Sequence, residues 1–278
     1  MKPLKSSRKL SVLATLFFLS TLFFSVSCKK NQANIEPKPN DKEDVNTSPM
    51  LPLITDSISD LKKLFAAAMI DAQNPEPHEI SNNLINIKTD KSLIDTLING
   101  ERYIKMVSWK LDSKWYPKKG TYNNKDRVIW VTVAPIIQDS CKKYYKTLKD
   151  PNMRLRQLLG LQPLTVETFF LEIWVKPEDI FRPTPDNEVD NNTAGLNLPD
   201  MVTPKYRKWF NDTRATQYVD CNDSIFDDNG YPWTQLGYTY DWSPNNTSHI
   251  GLSEFVIKEN TDMFVSGEYP TRVYCSSE

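Results

Sequence analysis

Apolar residues recur along this chain with two periods, and the periods separate helices from strands. Ile58, Leu61, Leu64, Phe65, Ala68 and Ala72 fall three and four apart, the spacing of one helical face, and the run stops ahead of Pro75 and Pro77. Ser57 followed three residues later by Asp60 forms a weak capping pair, so folded structure is expected from about residue 56. Residues 93–98 and 102–109 are rich in β-formers and flank Asn99-Gly100, a dipeptide that tolerates the positive φ angles of a tight turn; a hairpin is expected. Residues 127–133 read as a third strand, reached through a turn-rich loop over 117–126. Pro135 can open a helix whose apolar face is Ile136, Ile137, Cys141, Tyr144, Tyr145 and Leu148. A shorter helix from about Asn152 closes at Gly160, and residues 165–175 are the most sheet-like run of the chain. After a Pro-rich passage, Thr203-Pro204 has the look of an N-cap followed by proline in the first turn of a helix reaching about Arg214. Aromatic loops follow, then expected strands at 250–258 and 271–275.

Strands and helices alternate without a regular βαβ rhythm, which points to an α+β fold: a single domain over residues 56–278, with a mainly antiparallel or mixed sheet packed with several helices. No period of about 20 to 50 residues repeats, which weighs against solenoids and propellers. The 278 residues, 39% of them hydrophobic, suffice for a substantial core.

Residues 1–27 have the three parts of an export signal: Lys2, Lys5, Arg8 and Lys9, an apolar stretch over 10–24, and Ser25 and Ser27 around Val26. Downstream, no second apolar run of about 18 residues occurs. The formal charge of −1 conceals a division, because removing those four basic residues from 34 leaves 30 against 35 acids. A mature chain of that acidity is a poor nucleic-acid binder, since such binding rests on Lys and Arg neutralising phosphates. Ser25-Val26-Ser27-Cys28 resembles a bacterial lipobox, although Ser25 stands where leucine is usual. That resemblance implies cleavage before Cys28 and a lipid of the palmitate type on it, with the membrane as partner; ordinary signal-peptidase cleavage, with Cys28 incidental, is the alternative. The Cys28-Lys29-Lys30 start and polar tail are similar to lipoproteins of the Bacteroidota, which implies a cell-envelope, outer-membrane location facing the periplasm or the surface. Residues 28–55, with Pro37, Pro39, Pro49 and Pro52, read as a disordered tether.

Chemistry has four candidate seats. In Tyr231-Pro-Trp-Thr-Gln-Leu-Gly-Tyr-Thr-Tyr-Asp-Trp242, an extended backbone would turn Tyr238, Tyr240 and Trp242 to one face and Thr239 and Asp241 to the other. With Trp233, these rings form either a platform for a glycan or protein partner or part of the core. This segment and Gly251-Leu-Ser-Glu-Phe-Val-Ile257 are similar to stretches of uncharacterised bacterial proteins, a similarity that implies no activity. Nucleophilic catalysis has weak candidates in His249 with Asp241, Glu254 or Cys141; no glycine-flanked nucleophile accompanies them, and Cys141 on an apolar helix face is equally an inert buried thiol. Carboxylate pairs such as Glu167 with Glu172, or Asp241 with Glu254, meet the residue requirement of a glycosidase. Acidic loops at 186–192 and 220–229 lack the full calcium-loop pattern, and no CxxC or paired histidines suggest zinc, so no metal is expected. With eight glycines and no phosphate-loop or dinucleotide signature, no cofactor is expected either. Asp56-Ser57-Ile58, Asp95-Thr96-Leu97 and Asp223-Ser224-Ile225 match the acid, hydroxyl, aliphatic pattern of Bacteroidota O-glycosylation. Cys141, Cys221 and Cys275 leave open one disulfide with a spare thiol, or three thiols. The sequence as a whole favours a lipid-anchored binding module, with an envelope hydrolase using His249 as the alternative.

Overall fold

The ten-residue strand that begins right after Asn99-Gly100 organises the molecule. A computed structural model describes residues 58–218 and 230–276. In chain order its elements are α1 (Ile58–Ala72), β1 (Asp95–Ile98), β2 (Glu101–Lys110), β3 (Gly120–Asn123), β4 (Ile129–Val133), α2 (Ala134–Thr147), α3 (Pro151–Leu158), β5 (Phe169–Val175), β6 (Ile180–Phe181), α4 (Pro204–Gln217), β7 (Tyr238–Tyr240), β8 (Ile250–Ile257), β9 (Asp262–Pro270) and α5 (Thr271–Tyr274). The strands form one antiparallel sheet in the order β3-β9-β5-β2-β4-β8-β6, with β1 added to β2 and β7 to β8. The expected α+β domain with its antiparallel sheet is therefore present.

Local chemistry explains the elements that the pattern anticipated. Asn99 and Gly100 take φ of 54° and 82°, and the strands on either side pair from Ile98↔Glu101 outward. Thr203 caps α4 by accepting a hydrogen bond from the Tyr206 amide at 3.2 Å, and Asp150 caps α3 through the Met153 amide at 2.9 Å. Gly160 ends the α3 region at φ 66°, where a Cβ would sit 3.2 Å from the Tyr240 carbonyl.

Two expectations are corrected. Residues 120–123, placed in a loop, form β3 and pair with β9, itself built from residues that carried no strand expectation. Residues 271–275 are not a strand. Thr271, Tyr274 and Cys275 are buried while Val273 is exposed, an i, i+3, i+4 pattern that suits the helical turn α5 and not a strand's alternation.

The sheet buries both faces. Ile104, Met106, Val131, Leu171, Ile173, Phe255 and Ile257 form one face, and Ile87 and Ile180 join their cluster. On this side, the Leu84 and Ile87 amides donate to the Asn192 and Val189 carbonyls, so two irregular segments brace one another. The opposite face presents Val107, Trp109 and Phe170 to Ile137 and Cys141 of α2, Leu155 of α3 and Tyr274 of α5. Cys141 and Cys275 are joined as a disulfide between α2 and the end of α5. Helix α4 adds Tyr206 and Phe210 against Phe181, Trp233 and Val256, and α1 packs Phe65, Ala68 and Met69 against Tyr240 and Trp242.

A fully buried arginine holds the irregular side together. Arg182 donates to the carbonyls of Ile85 and Asn191 at 2.8 and 2.9 Å and to the Asn191 side chain, and its guanidinium lies over the Phe255 ring. Burial lowers its pKa to about 10, opposed by the charges of Asp186, Asp190 and Glu188. The acidic loop at 186–192 thus surrounds an internal cation supplied by the chain.

Candidate functional site

The helix-covered face of the sheet is not completely roofed. A cavity of about 440 Å³ opens there, and its floor is a cross-strand row. Val107 on β2 pairs with Thr132 on β4, and Thr132 pairs with Glu254 on β8, so the three side chains share one face and line the cavity together. Trp109 and Trp130 extend the lining along β2 and β4, while Trp233 and Tyr240 close it from the aromatic segment. Leu159, Gly160 and Leu161 pass over it after α3, and Gln217 borders it at the end of α4.

Most polar groups in this wall are already committed. The hydroxyls of Ser108, Thr132, Thr165 and Thr239 donate to the carbonyls of Trp130, Ser253, Gln162 and Leu158 at 2.8, 2.8, 3.0 and 2.6 Å. Glu254 is different: its carboxyl has no hydrogen bond and no ion pair among the described residues, and removal from water pushes its pKa up to about 8. Glu167, a second acid in the lining, lies 3.6 Å from Arg156 Nε. That gap is too long for a hydrogen bond, and Glu167 Oε2 and Arg156 Nε are both buried without one. Lys110 borders the cavity at the end of β2. Burial and the Arg127 charge lower its pKa to about 8.

Against this geometry the sequence candidates separate. Trp233, Tyr238, Tyr240 and Trp242 are all buried, at 2 to 4% exposure, so they form no open platform. Their polar tips are satisfied inside the protein. Trp233 Nε1 donates to the Pro183 carbonyl at 3.2 Å, Tyr238 to the Glu79 carbonyl at 2.8 Å, Tyr240 to Asp71 at 2.7 Å, and Trp242 Nε1 to the Leu161 carbonyl at 2.9 Å. Nor do they share one surface, since Tyr238 packs with Leu84 and Leu236 while Tyr240 and Trp242 pack with α1. Trp233 and Tyr240 nevertheless present part of their surface to the cavity.

Of the candidates for nucleophilic catalysis, only Glu254 lines the cavity. Asp241 makes a two-pronged ion pair with Arg154, at 2.9 and 2.6 Å, and also accepts from the Ser243 amide and the Asn246 side chain. His249 stacks on Tyr240 with ring centroids 4.8 Å apart, and its Nδ1 lies 3.0 Å from the Asp241 main-chain carbonyl; among the described residues it meets no carboxylate, hydroxyl or thiol. Cys141, bonded to Cys275, has no thiolate to offer as a nucleophile. The proposed acid pairs are also rearranged. Glu172 pairs with Lys105 at 3.3 Å and Asp241 with Arg154, leaving Glu167 and Glu254, one from each, in the same cavity.

Among the described residues no group of three or more His, Cys, Asp or Glu side chains is placed to hold a metal, and no helix is long and apolar enough to cross a membrane. The leader, Cys28, the tether, Cys221 and the 220–229 loop lie outside the described residues, as do the acid-hydroxyl patterns at 56–57 and 223–225. Thr96, from the remaining pattern, is a β1 residue opposite Tyr103.

The cavity itself was not anticipated, although part of it has a sequence signal. In Ile250-Gly-Leu-Ser-Glu-Phe-Val-Ile257, Glu254 shares the parity of Leu252 and Val256, which places an acid on an inward face. No protein-family model, curated protein or solved structure matches this chain, so the chemistry of the site rests on its own geometry.

Proposed function

We propose that this chain is a lipid-anchored protein of the bacterial cell envelope whose domain binds a small organic ligand in the cavity above the Val107, Thr132 and Glu254 row. The observation that carries the binding reading is a partly open, aromatic-lined cavity floored by a carboxyl group without a partner among the described residues. Its size is that of ordinary small-molecule sites, which are largely apolar with a few placed polar groups. An unpaired acid in such a place costs stability, which a purely structural role leaves uncompensated and a ligand would offset. Support for the anchor is the basic and apolar leader ending in Ser25-Val26-Ser27-Cys28. A tether of the composition seen over 29–52 spans roughly 25 Å on average, at about 5 Å times the square root of its length, enough to hold the domain clear of lipid head groups.

A ligand-observed NMR screen of small organic fragments tests the binding reading, with Leu161→Trp as the partner variant. Leu161 lines the cavity and is only half-buried, so the larger ring has room to enter and fill the space. Fragments that bind the wild-type protein and fail to bind a folded Leu161→Trp protein are the expected result. A blank screen, or fragments indifferent to the substitution, would remove the cavity as the site.

A further inference from the structure

The rings around the cavity have mostly committed their polar atoms elsewhere. Besides Trp233 and Tyr240, already engaged, Trp109 Nε1 donates to Thr271 at 2.8 Å, and only the Trp130 indole N–H remains without a partner among the described residues. What the walls offer a ligand is therefore chiefly π surface. The four wall hydroxyls are bound to main-chain carbonyls, as described above. A ligand covered in hydroxyl groups needs many mixed donors and acceptors, and this wall retains few: Trp130, the Gln217 amide at one border, Lys110, and the acids Glu167 and Glu254.

A cation has simpler needs. It is drawn to the negative faces of aromatic rings and to a carboxylate, and both attractions strengthen away from water. The two acids that line the cavity, Glu254 and Glu167, are opposed by one lysine, Lys110, whose charged neighbour is Arg127 and neither acid. Arg156 answers Glu167 from outside the lining, which leaves Glu254 as the uncompensated group.

We infer that the cavity takes an organic ammonium ion, its charged nitrogen held by the Glu254 carboxylate among the rings of Trp109, Trp130, Trp233 and Tyr240. This rests on the cavity being the ligand site, and it names the chemical class of that ligand. It also sets a direction for the effect of pH. The titratable groups around the cavity are Glu167 ahead of β5, Lys110 on β2, Tyr231, and Tyr240 on β7; Tyr218, beyond α4, is close enough to feel the charge on Glu254. None of them is a cation set against Glu254. With its pKa near 8, about a tenth of the Glu254 carboxyls are ionised at pH 7 and about nine-tenths at pH 9, and an arriving cation must displace the proton from the remainder.

Calorimetry on the mature protein would compare choline and benzyltrimethylammonium, each beside its neutral carbon isostere, at pH 7 and pH 9, for wild type and Glu254→Gln. The cations are expected to bind at least about tenfold tighter than their isosteres at pH 9, and about tenfold tighter at pH 9 than at pH 7. In Glu254→Gln the pH difference should vanish and the preference for the cations should shrink to what the rings alone supply, while the isosteres bind as before. Gln keeps the shape and removes a partly buried acid, so loss of folding is not the expected outcome. Equal affinity for cations and isosteres would overturn the cation assignment and leave the cavity as a site for neutral ligands. Affinity that falls from pH 7 to pH 9 would overturn it too, pointing to a neutral ligand, such as a sugar, that accepts a hydrogen bond from protonated Glu254. Binding by neither class overturns this inference; a blank fragment screen beside it would overturn the binding reading as well.

Discussion

Glu254 is an acid on the inward face of a strand, and its position has a consequence for stability separate from any ligand. Its pKa rises from the ordinary 4.5 to about 8 on folding, so the folded state holds a proton that the unfolded chain releases. The resulting contribution to stability is complete below about pH 4.5 and is lost as pH rises through 8. Glu254→Gln should therefore gain stability relative to wild type as pH increases, and urea midpoints at pH 5 and pH 8.5 would show it; a gap between the two proteins that does not widen at pH 8.5 would contradict this. Gly237 tests the buried Arg182. At φ 80°, a Cβ there would stand 2.4 Å from Arg182 Cδ, so Gly237→Ala combines backbone strain with displacement of the guanidinium. A loss of about 2–4 kcal/mol is expected from urea unfolding, against a few tenths for Gly195→Ala, where nothing lies near the added Cβ. At this scale the sequence was partly readable. Glu254 is exposed by parity alone, whereas Arg182 reads as an ordinary arginine in a Pro-rich passage, because its partners Ile85 and Asn191 come together only in the fold.

Elements that answer to local chemistry were the readable ones. The Asn99-Gly100 hairpin, the Thr203 cap and the Pro135 helix each depend on residues within a few positions of one another. β3 and β9 do not. Gly120-Thr-Tyr-Asn123 has the composition of a turn and becomes a strand because β9 lies beside it; β9 buries Met263, Val265 and Gly267 in alternation, with Phe264 and Ser266 between them and Glu268 after, so no clean apolar and polar alternation marks it. The disulfide that ties α2 to α5 was one of several pairings open to the cysteines, and spacing could not choose among them. It closes a separation of 134 residues. Cys275→Ser should lower stability by about 3–5 kcal/mol, measured by urea unfolding without reductant. If the variant matched wild type, the bridge would not be constraining the unfolded chain.

At the scale of the whole molecule, the α+β class followed from the irregular order of strands and helices, but the cavity did not, since it joins strands β2, β4 and β8 with segments after α3 and α4. No window of sequence holds more than part of it. The proposed anchor belongs to this scale because it would set where the domain works. Metabolic labelling with a radioactive fatty acid should mark the wild-type protein and not Cys28→Ala, and label retained by the variant would refute the anchor.

The place of β9 in the sheet bears on how the protein can be made. It follows every other strand in the chain, yet it is inserted between β3 and β5. Until it arrives, β3 has no neighbour in the sheet and one edge of β5 stands open, with main-chain amides and carbonyls unpaired. The sheet cannot be completed by adding strands in order of synthesis. If the chain is threaded across a membrane from its N-terminal side, as the proposed anchor implies, this slot stays vacant until residue 270 has crossed, and the sheet can close only then.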